Sequence, residues 1–327
     1  MTTELRPLNL GEILDRTAEI YRNHFLLFAG IAAIFAGVML LMQMLHLGGL
    51  ALLGYPRVAP GLAWVSAGTS VIEGLAILIL AGLSVAAINR TVAWVYLGEP
   101  ATIRGAAASV RPRLGRYLWL MTMTGFRAWA PLAALYVALF AIVLSILPAG
   151  FLTNPVVAHH PTAQNTSAFV EAGLGILILA PLLLLGLVYG VWMSLRYSLA
   201  MPACVVEDMR AGEALKRSIE LTKGSRGRIF VLALLVYAVK LLLGILFGFP
   251  FLAFGFKHPG QPLPLVYLAV QQVGVFLTNT FIGPIYATGL TLFYYDQRVR
   301  KEGFDVEWMM KAAGLTAERI APQVEQT

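Results

Sequence analysis

Residues 25–47 read FLLFAGIAAIFAGVMLLMQMLHL, a run that contains no Asp, Glu, Lys or Arg. A helix needs about 20 mainly apolar residues to cross the hydrocarbon core of a bilayer, and this run is long enough. It also exceeds the core of a signal peptide, about 7–15 residues, and follows a charged segment, so it reads as a retained first span. Five further stretches meet the same length: residues 71–95, 128–147, 172–195, 229–249 and 265–292. The third could begin as early as Tyr117, with Gly125 and Pro131 allowing a break. The sixth is long and carries Pro284, which predicts a kink or a tilted helix.

Composition agrees with the spans. Of 327 residues, 58% are hydrophobic and 13% are charged, against roughly 25% charged in an ordinary soluble domain. Mean hydropathy is +0.75. A soluble globular enzyme, a disordered chain and a disulfide-stapled secreted domain are all excluded. The single cysteine, Cys204, has no intrachain partner for a disulfide. The expected class is an all-α polytopic bundle of six transmembrane helices.

The segments between spans alternate in character. Residues 1–24, 98–127, 196–228 and 296–327 are charged, whereas 48–70, 148–170 and 250–264 are rich in Gly, Pro and Ala. All Lys and Arg lie in the first set or at the adjoining span ends except Arg57 and Lys257 on the opposite side and Lys240 inside the fifth span, with Arg127 at the edge of the third span. This positive-inside bias predicts that both termini are cytoplasmic. The net charge of +7 therefore records orientation rather than nucleic-acid binding. The expected contact is the bilayer, including anionic headgroups at the cytoplasmic face. The expected division is a cytoplasmic amphipathic helix over 1–24, a six-span domain over 25–296 and a cytoplasmic tail over 297–327.

Gly11–Arg22 (GEILDRTAEIYR) aligns without gaps on Gly212–Lys223 (GEALKRSIELTK), and both lead into a span. A fainter third copy covers residues 103–117, with Ser109 matching Thr17 and Ser218. Leu10, Ile13, Leu14, Thr17, Ile20 and Tyr21 recur at helical spacing, opposite Glu12, Asp15, Arg16, Glu19 and Arg22. In the second copy Ala211, Ala214, Leu215, Ser218, Ile219 and Thr222 form a weaker stripe. Three units follow, each an amphipathic cytoplasmic helix and a two-span hairpin; such helices lie along the headgroups or serve as plain connectors.

Three segments, residues 9–25 (NLGEILDRTAEIYRNHF), 205–224 (VVEDMRAGEALKRSIELTKG) and 294–309 (YYDQRVRKEGFDVEWM), resemble a bacterial family labelled the glycerophosphoryl diester phosphodiesterase membrane domain. The resemblance runs from about Leu8 to Met309. It implies a bacterial cytoplasmic (inner) membrane location and a non-catalytic membrane module. In fused members hydrolysis belongs to a separate barrel with acidic metal ligands and histidines, so no phosphodiesterase site carries over to this chain.

Charge inside a span is costly and often functional. Lys240 falls near mid-bilayer in an otherwise uncharged span, and must snorkel, meet water or find a partner. Glu73 and Glu171, at the outer ends of the second and fourth spans, are the nearest acids by depth. Arg127 is buried if the third span starts at Tyr117 and interfacial if it starts at Ala128. These four residues form the candidate intramembrane polar site, with a structural pair or snorkelling as the main reading for Lys240.

His46, His159, His160 and His258 fall on the outer side, but their spacing is not that of a zinc motif, and neither metal nor cofactor is expected. No H-E-x-x-H, G-x-S-x-G or Walker A sequence is present. Gly186-x-x-x-Gly190 and Gly244-x-x-x-Gly248 fit close helix packing or a dimer face. The expectation is a non-enzymatic membrane protein, a scaffold or the membrane partner of an envelope protein, or a homo-oligomer. The alternative is a transporter or lipid-handling protein with a cavity near Lys240.

Overall fold

The computed structural model describes residues 6–55, 60–146, 163–259 and 261–312; the side chains of 60–67, 71, 139–140, 142–146, 163–179 and 311–312 lie outside the described residues. Every regular element among the described residues is helical. Residues up to Leu120, together with those from Ser198 onward, form one compact unit, and Met121–Tyr197 form a second.

The first unit opens with α1 (Leu10–Asn23), which starts at Asn9 because a capping box satisfies the free amides there. Asn9 Oδ1 accepts from the Glu12 amide at 2.8 Å, and Glu12 Oε2 accepts from the Asn9 amide at 2.7 Å. The Asn9 amide and the Arg6 guanidinium hold the Glu12 carboxyl below the usual carboxylate range. The α1 face that Ile13, Thr17 and Ile20 share is buried, as the apolar spacing requires.

Next come α2 (Phe25–Leu52), α3 (Pro60–Tyr96), α4 (Ile103–Val110) and a 3-10 turn over Arg111–Arg113, before α5 (Leu114–Ile146). Later elements are α6 (Ala163–Arg196), α7 (Ala200–Val206), α8 (Ala211–Thr222), α9 (Arg226–Lys257), α10 (Leu265–Phe281), α11 (Gly283–Glu302) and α12 (Phe304–Ala312). Within segments 9–23 and 210–224 helices thus run over Leu10–Asn23 and Ala211–Thr222, as their spacing predicts. Residues 103–117 are interrupted by the 3-10 turn, where Pro112 removes a backbone donor.

The helices overrun several expected boundaries. Residues 48–70 and 250–264 read as loops, yet α2 reaches Leu52, α3 begins at Pro60, and α9 continues through Pro250 to Lys257. In apolar surroundings an unpaired backbone group costs more than a local distortion, so helix continues where water would allow a turn. For the same reason Gly125 and Pro131 do not break α5, and α6 begins before Ala172. The 296/297 boundary falls inside α11, which runs on to a left-handed C-cap at Gly303 (φ 66).

Pro284 does interrupt the sixth stretch, between α10 and α11. Proline cannot donate, and the Ile285 amide turns back to Ile282 O at 3.2 Å. That leaves Phe281 O to accept from the Tyr21 hydroxyl at 2.7 Å. Phe25 stacks on Phe281 with ring centroids 5.9 Å apart. A side chain of α1 thereby completes the broken ladder.

Helix α11 is the axis of this unit and packs against α1, α2, α3, α7, α8, α9, α10 and α12. From Ala287 to Gln297 it is buried on all sides, so its polar side chains need internal partners. Thr288 donates to Pro284 O at 2.9 Å, and Thr291 lies 2.9 Å from Ala287 O and 3.1 Å from Asn89 Oδ1 on α3. Gly289 admits Leu232 of α9: a Cβ there would lie 2.8 Å from the leucine tip.

In the second unit Gly186 and Gly190 of α6 meet α5. A Cβ at Gly186 would lie 3.1 Å from Leu132, and one at Gly190 would lie 3.0 Å from Trp129. Gly244 and Gly248 of α9, in the first unit, have open space instead. The two Gly-x-x-x-Gly spacings therefore differ: the first lets helices approach, and the second makes no close contact among the described residues.

Candidate functional site

The three sequence segments quoted for the resemblance converge in the first unit. Glu207, just past α7, accepts a short hydrogen bond from the Tyr294 hydroxyl of α11 and a 3.1 Å bond from Arg217 Nε of α8. Arg217 also grips Glu302 with both terminal nitrogens, at 2.5 and 2.7 Å. Arg298 closes the ring: its Nε lies 3.2 Å from Glu302 and 4.0 Å from Glu207. Its guanidinium sits 4.1 Å over the Phe304 ring. Burial lowers the Arg217 pKa, but the Glu302 and Glu207 carboxylates outweigh it and raise the value overall.

A second node on α11 centres on Asp296. Asp296, with a side chain 0% exposed, accepts from the Leu8 amide at 2.8 Å and from Gln297 at 2.9 Å. Arg300 Nε contacts both of its oxygens, at 2.9 and 3.0 Å, and Arg228 of α9 lies at 3.5 Å. Arg300 also donates to Leu8 O at 2.6 Å, which stitches the chain ahead of α1 to α11.

Two outlying contacts extend this charged layer. Lys301 donates to Glu220 O, Leu221 O and Lys223 O at 2.7, 3.0 and 2.9 Å, which satisfies the carbonyls that end α8. Arg113 and Arg116 clasp Asp208 at 2.7 and 2.6 Å. Asp208 has φ 54, a left-handed conformation that asparagine and aspartate adopt more readily than bulkier residues. Each carboxylate of this layer thus has at least one guanidinium against it. Such an arrangement fixes helix ends rather than activating a nucleophile.

The residues expected to form an intramembrane site are placed differently. Lys240 is half-buried in the middle of α9, with Nζ 5.8 Å over the Tyr237 ring. No carboxylate comes within ion-pair distance of it among the described residues. Tyr237 in turn packs on Tyr286 of α11 at 5.8 Å. Arg127 lies within α5, which starts at Leu114, and its side chain is exposed from the rest of the protein. Glu171 falls within α6, and its side chain lies outside the described residues.

Glu73 of α3 does find a partner, but it is a histidine. Glu73 Oε2 is 3.3 Å from His46 Nδ1 of α2, while Glu73 Oε1 is buried without a hydrogen-bond partner among the described residues. The pair borders a cavity of about 360 Å³ between α2 and α3. His258 packs against Phe254 at 4.7 Å, and His159 and His160 lie outside the described residues. Among the described residues, no three of His, Cys, Asp and Glu are placed to hold a metal ion.

Sequence reasoning missed the Glu207–Arg217–Arg298–Glu302 ring and the Asp296 node. A signal was available in α11, where Asp296 and Arg300, and Arg298 and Glu302, stand four apart, the spacing that joins opposite charges on a helix. The partners on α7 and α8 carry no such local signal.

Five helical stretches among the described residues are long and apolar enough to cross a membrane: Phe25–Leu52, Gly68–Tyr96, Ala180–Val206, Arg226–Lys257 and Leu265–Glu302. They also expose large apolar side chains such as Leu26, Leu185 and Leu242, surface that suits lipid and not water. The protein is a membrane protein, helical in every regular element among the described residues. Residues 8–297 match the family model described as "Domain of unknown function (DUF7847)", and the chain belongs to that family. No curated protein and no solved structure matches the chain.

Proposed function

We propose that this chain is a non-enzymatic scaffold of the bacterial cytoplasmic membrane, the membrane partner of another envelope protein. The observation that carries the reading is the closed charge layer. Glu207, Arg217, Arg298 and Glu302 engage one another, so this group of ionisable side chains is occupied in holding α7, α8 and α11 together. The resemblance to the glycerophosphoryl diester phosphodiesterase membrane domain supplies the bacterial location and the non-catalytic role.

The architecture proposed with it has six spans in three helix-plus-hairpin units and both termini in the cytoplasm. The match of α1 to α8 supports the repeat: Ile13, Thr17 and Ile20 align with Ala214, Ser218 and Leu221, and all six are buried. Helix α5, which carries the third predicted span, supports the even count. The charged layer then lies at the cytoplasmic ends of the helices, as the positive-inside bias asks.

The test is reciprocal affinity purification from native membranes. The scaffold reading expects one membrane protein to copurify in fixed ratio whichever partner carries the tag. A chain that purifies alone and supports solute flux in proteoliposomes would overturn it in favour of transport around Lys240.

A further inference from the structure

The cavity beside Glu73 has the make-up of a binding site. Met42, Leu45 and Leu50 of α2 and Ile72 of α3 wall it with hydrocarbon, and the His46–Glu73 pair is its polar end. The pair is largely buried, with 18% of the His46 side chain and 13% of the Glu73 side chain exposed. His46 engages only Oε2, and Oε1 is left buried with no donor among the described residues. A buried acceptor without a donor is unfavourable, and more so when it is charged.

A ligand that relieves this must donate hydrogen bonds, carry positive charge and have an apolar body. An alcohol donates but leaves the charge. A quaternary ammonium carries charge but has no N–H. A guanidinium prefers both oxygens of a carboxylate, and one is taken by His46. A protonated primary amine meets all three conditions. With water occupying about 30 Å³ in the liquid, a cavity of about 360 Å³ accommodates the head and the first few methylenes of a chain. Leu45 and Ile72 are each 67% exposed, so the rest of the chain can continue along the open apolar surface.

We propose that the cleft between α2 and α3 binds an amphiphile with a protonated primary-amine head, which donates to Glu73 Oε1 while its chain lies along the apolar wall. His46 is a positioning residue that holds Oε2 and so fixes the carboxylate at the polar end of the cavity. The site is separate from the charge layer and independent of the scaffold role.

The test uses the full chain in a nonionic detergent, with dodecylammonium, dodecyltrimethylammonium and dodecanol as probes and the thermal unfolding midpoint as readout. Dodecylammonium should raise the midpoint saturably, and the other two should not. Glu73→Gln should weaken the apparent affinity about tenfold or more, the loss of a charge-assisted hydrogen bond. Leu45→Trp, which fills the cavity and keeps the carboxylate, should weaken it too, and stands in if the first variant does not fold. Equal binding by wild type and Glu73→Gln, or equal stabilisation by dodecanol, would overturn the proposal. In nanodiscs, competition by ethanolamine phospholipid but not by choline phospholipid would identify a membrane lipid as the amine. No competition by either, with dodecylammonium still dependent on Glu73, would identify a free amine.

Discussion

Asp296 and Glu73 are both carboxylates buried among helices, and they differ in what surrounds them. Asp296 has donors on every side: the Leu8 amide, Gln297, Arg300 and Arg228. Glu73 has one histidine on one oxygen and no donor on the other among the described residues, and it borders a cavity. A saturated buried charge fixes its neighbours and has no capacity left for a ligand. A half-satisfied one next to a cavity does the reverse. Both depart from the rule that apolar spans avoid charge, so charge in a span does not by itself indicate function; the number of partners does.

The largest effect should come from the saturated member. Asp296→Ala leaves Arg300, Arg228 and the Leu8 amide without their shared acceptor, and should destabilise the chain by about 3–5 kcal/mol. Denaturant unfolding in detergent, or loss of the folded species from membranes, measures it. A wild-type midpoint would show that Asp296 is not a structural node.

The neighbouring ring extends the contrast. Arg217→Ala removes the clasp between Glu207 and Glu302 and should cost about 2 kcal/mol, since both carboxylates stay partly hydrated and keep Arg298. A double-mutant cycle with Glu302→Ala should return a coupling of about 1–3 kcal/mol. Strict additivity would mean that the ring is a set of independent surface pairs.

Lys240 sharpens the comparison from the other sign of charge. Its described partner is the Tyr237 ring, a contact worth about 0.5–2 kcal/mol. Replacement by methionine keeps the unbranched volume and removes a charge from apolar surroundings. Lys240→Met should therefore accumulate in membranes at near wild-type level with an unchanged midpoint. Loss of the folded protein would mean that the ammonium itself holds the helices together.

Glu73 should likewise contribute little to stability. Glu73→Gln removes a charge that has a single partner, so the midpoint without ligand should move by less than about 1 kcal/mol in either direction. A loss as large as that of Asp296→Ala would erase the distinction.

The sequence makes the span positions legible but not their ends. The absence of charge over residues 25–47 and the other runs identifies the hydrophobic helices, and the Asn9-x-x-Glu12 capping box defines the start of α1. Pro250 and Gly125 misled because turn signals calibrated in water lose their force where unpaired backbone is so costly. At the site, Glu73 was legible as an acid within a span. His46 was legible as lying at a similar depth, but not as its partner, because depth in the membrane says nothing about which helices touch. The charge layer was hidden for a related reason: Glu207 and Arg217 look like connector residues until α11 is brought against them.

The measurement that bears most directly on the contrast is the thermal unfolding midpoint of Asp296→Asn and Glu73→Gln, each with and without saturating dodecylammonium. Asp296→Asn should start lower than wild type and still rise on adding the amine, since its cavity is intact. Glu73→Gln should start at the wild-type midpoint and show little or no rise. The opposite pattern, with the amine response lost in Asp296→Asn and kept in Glu73→Gln, would contradict the assignment of one carboxylate to the fold and the other to a ligand.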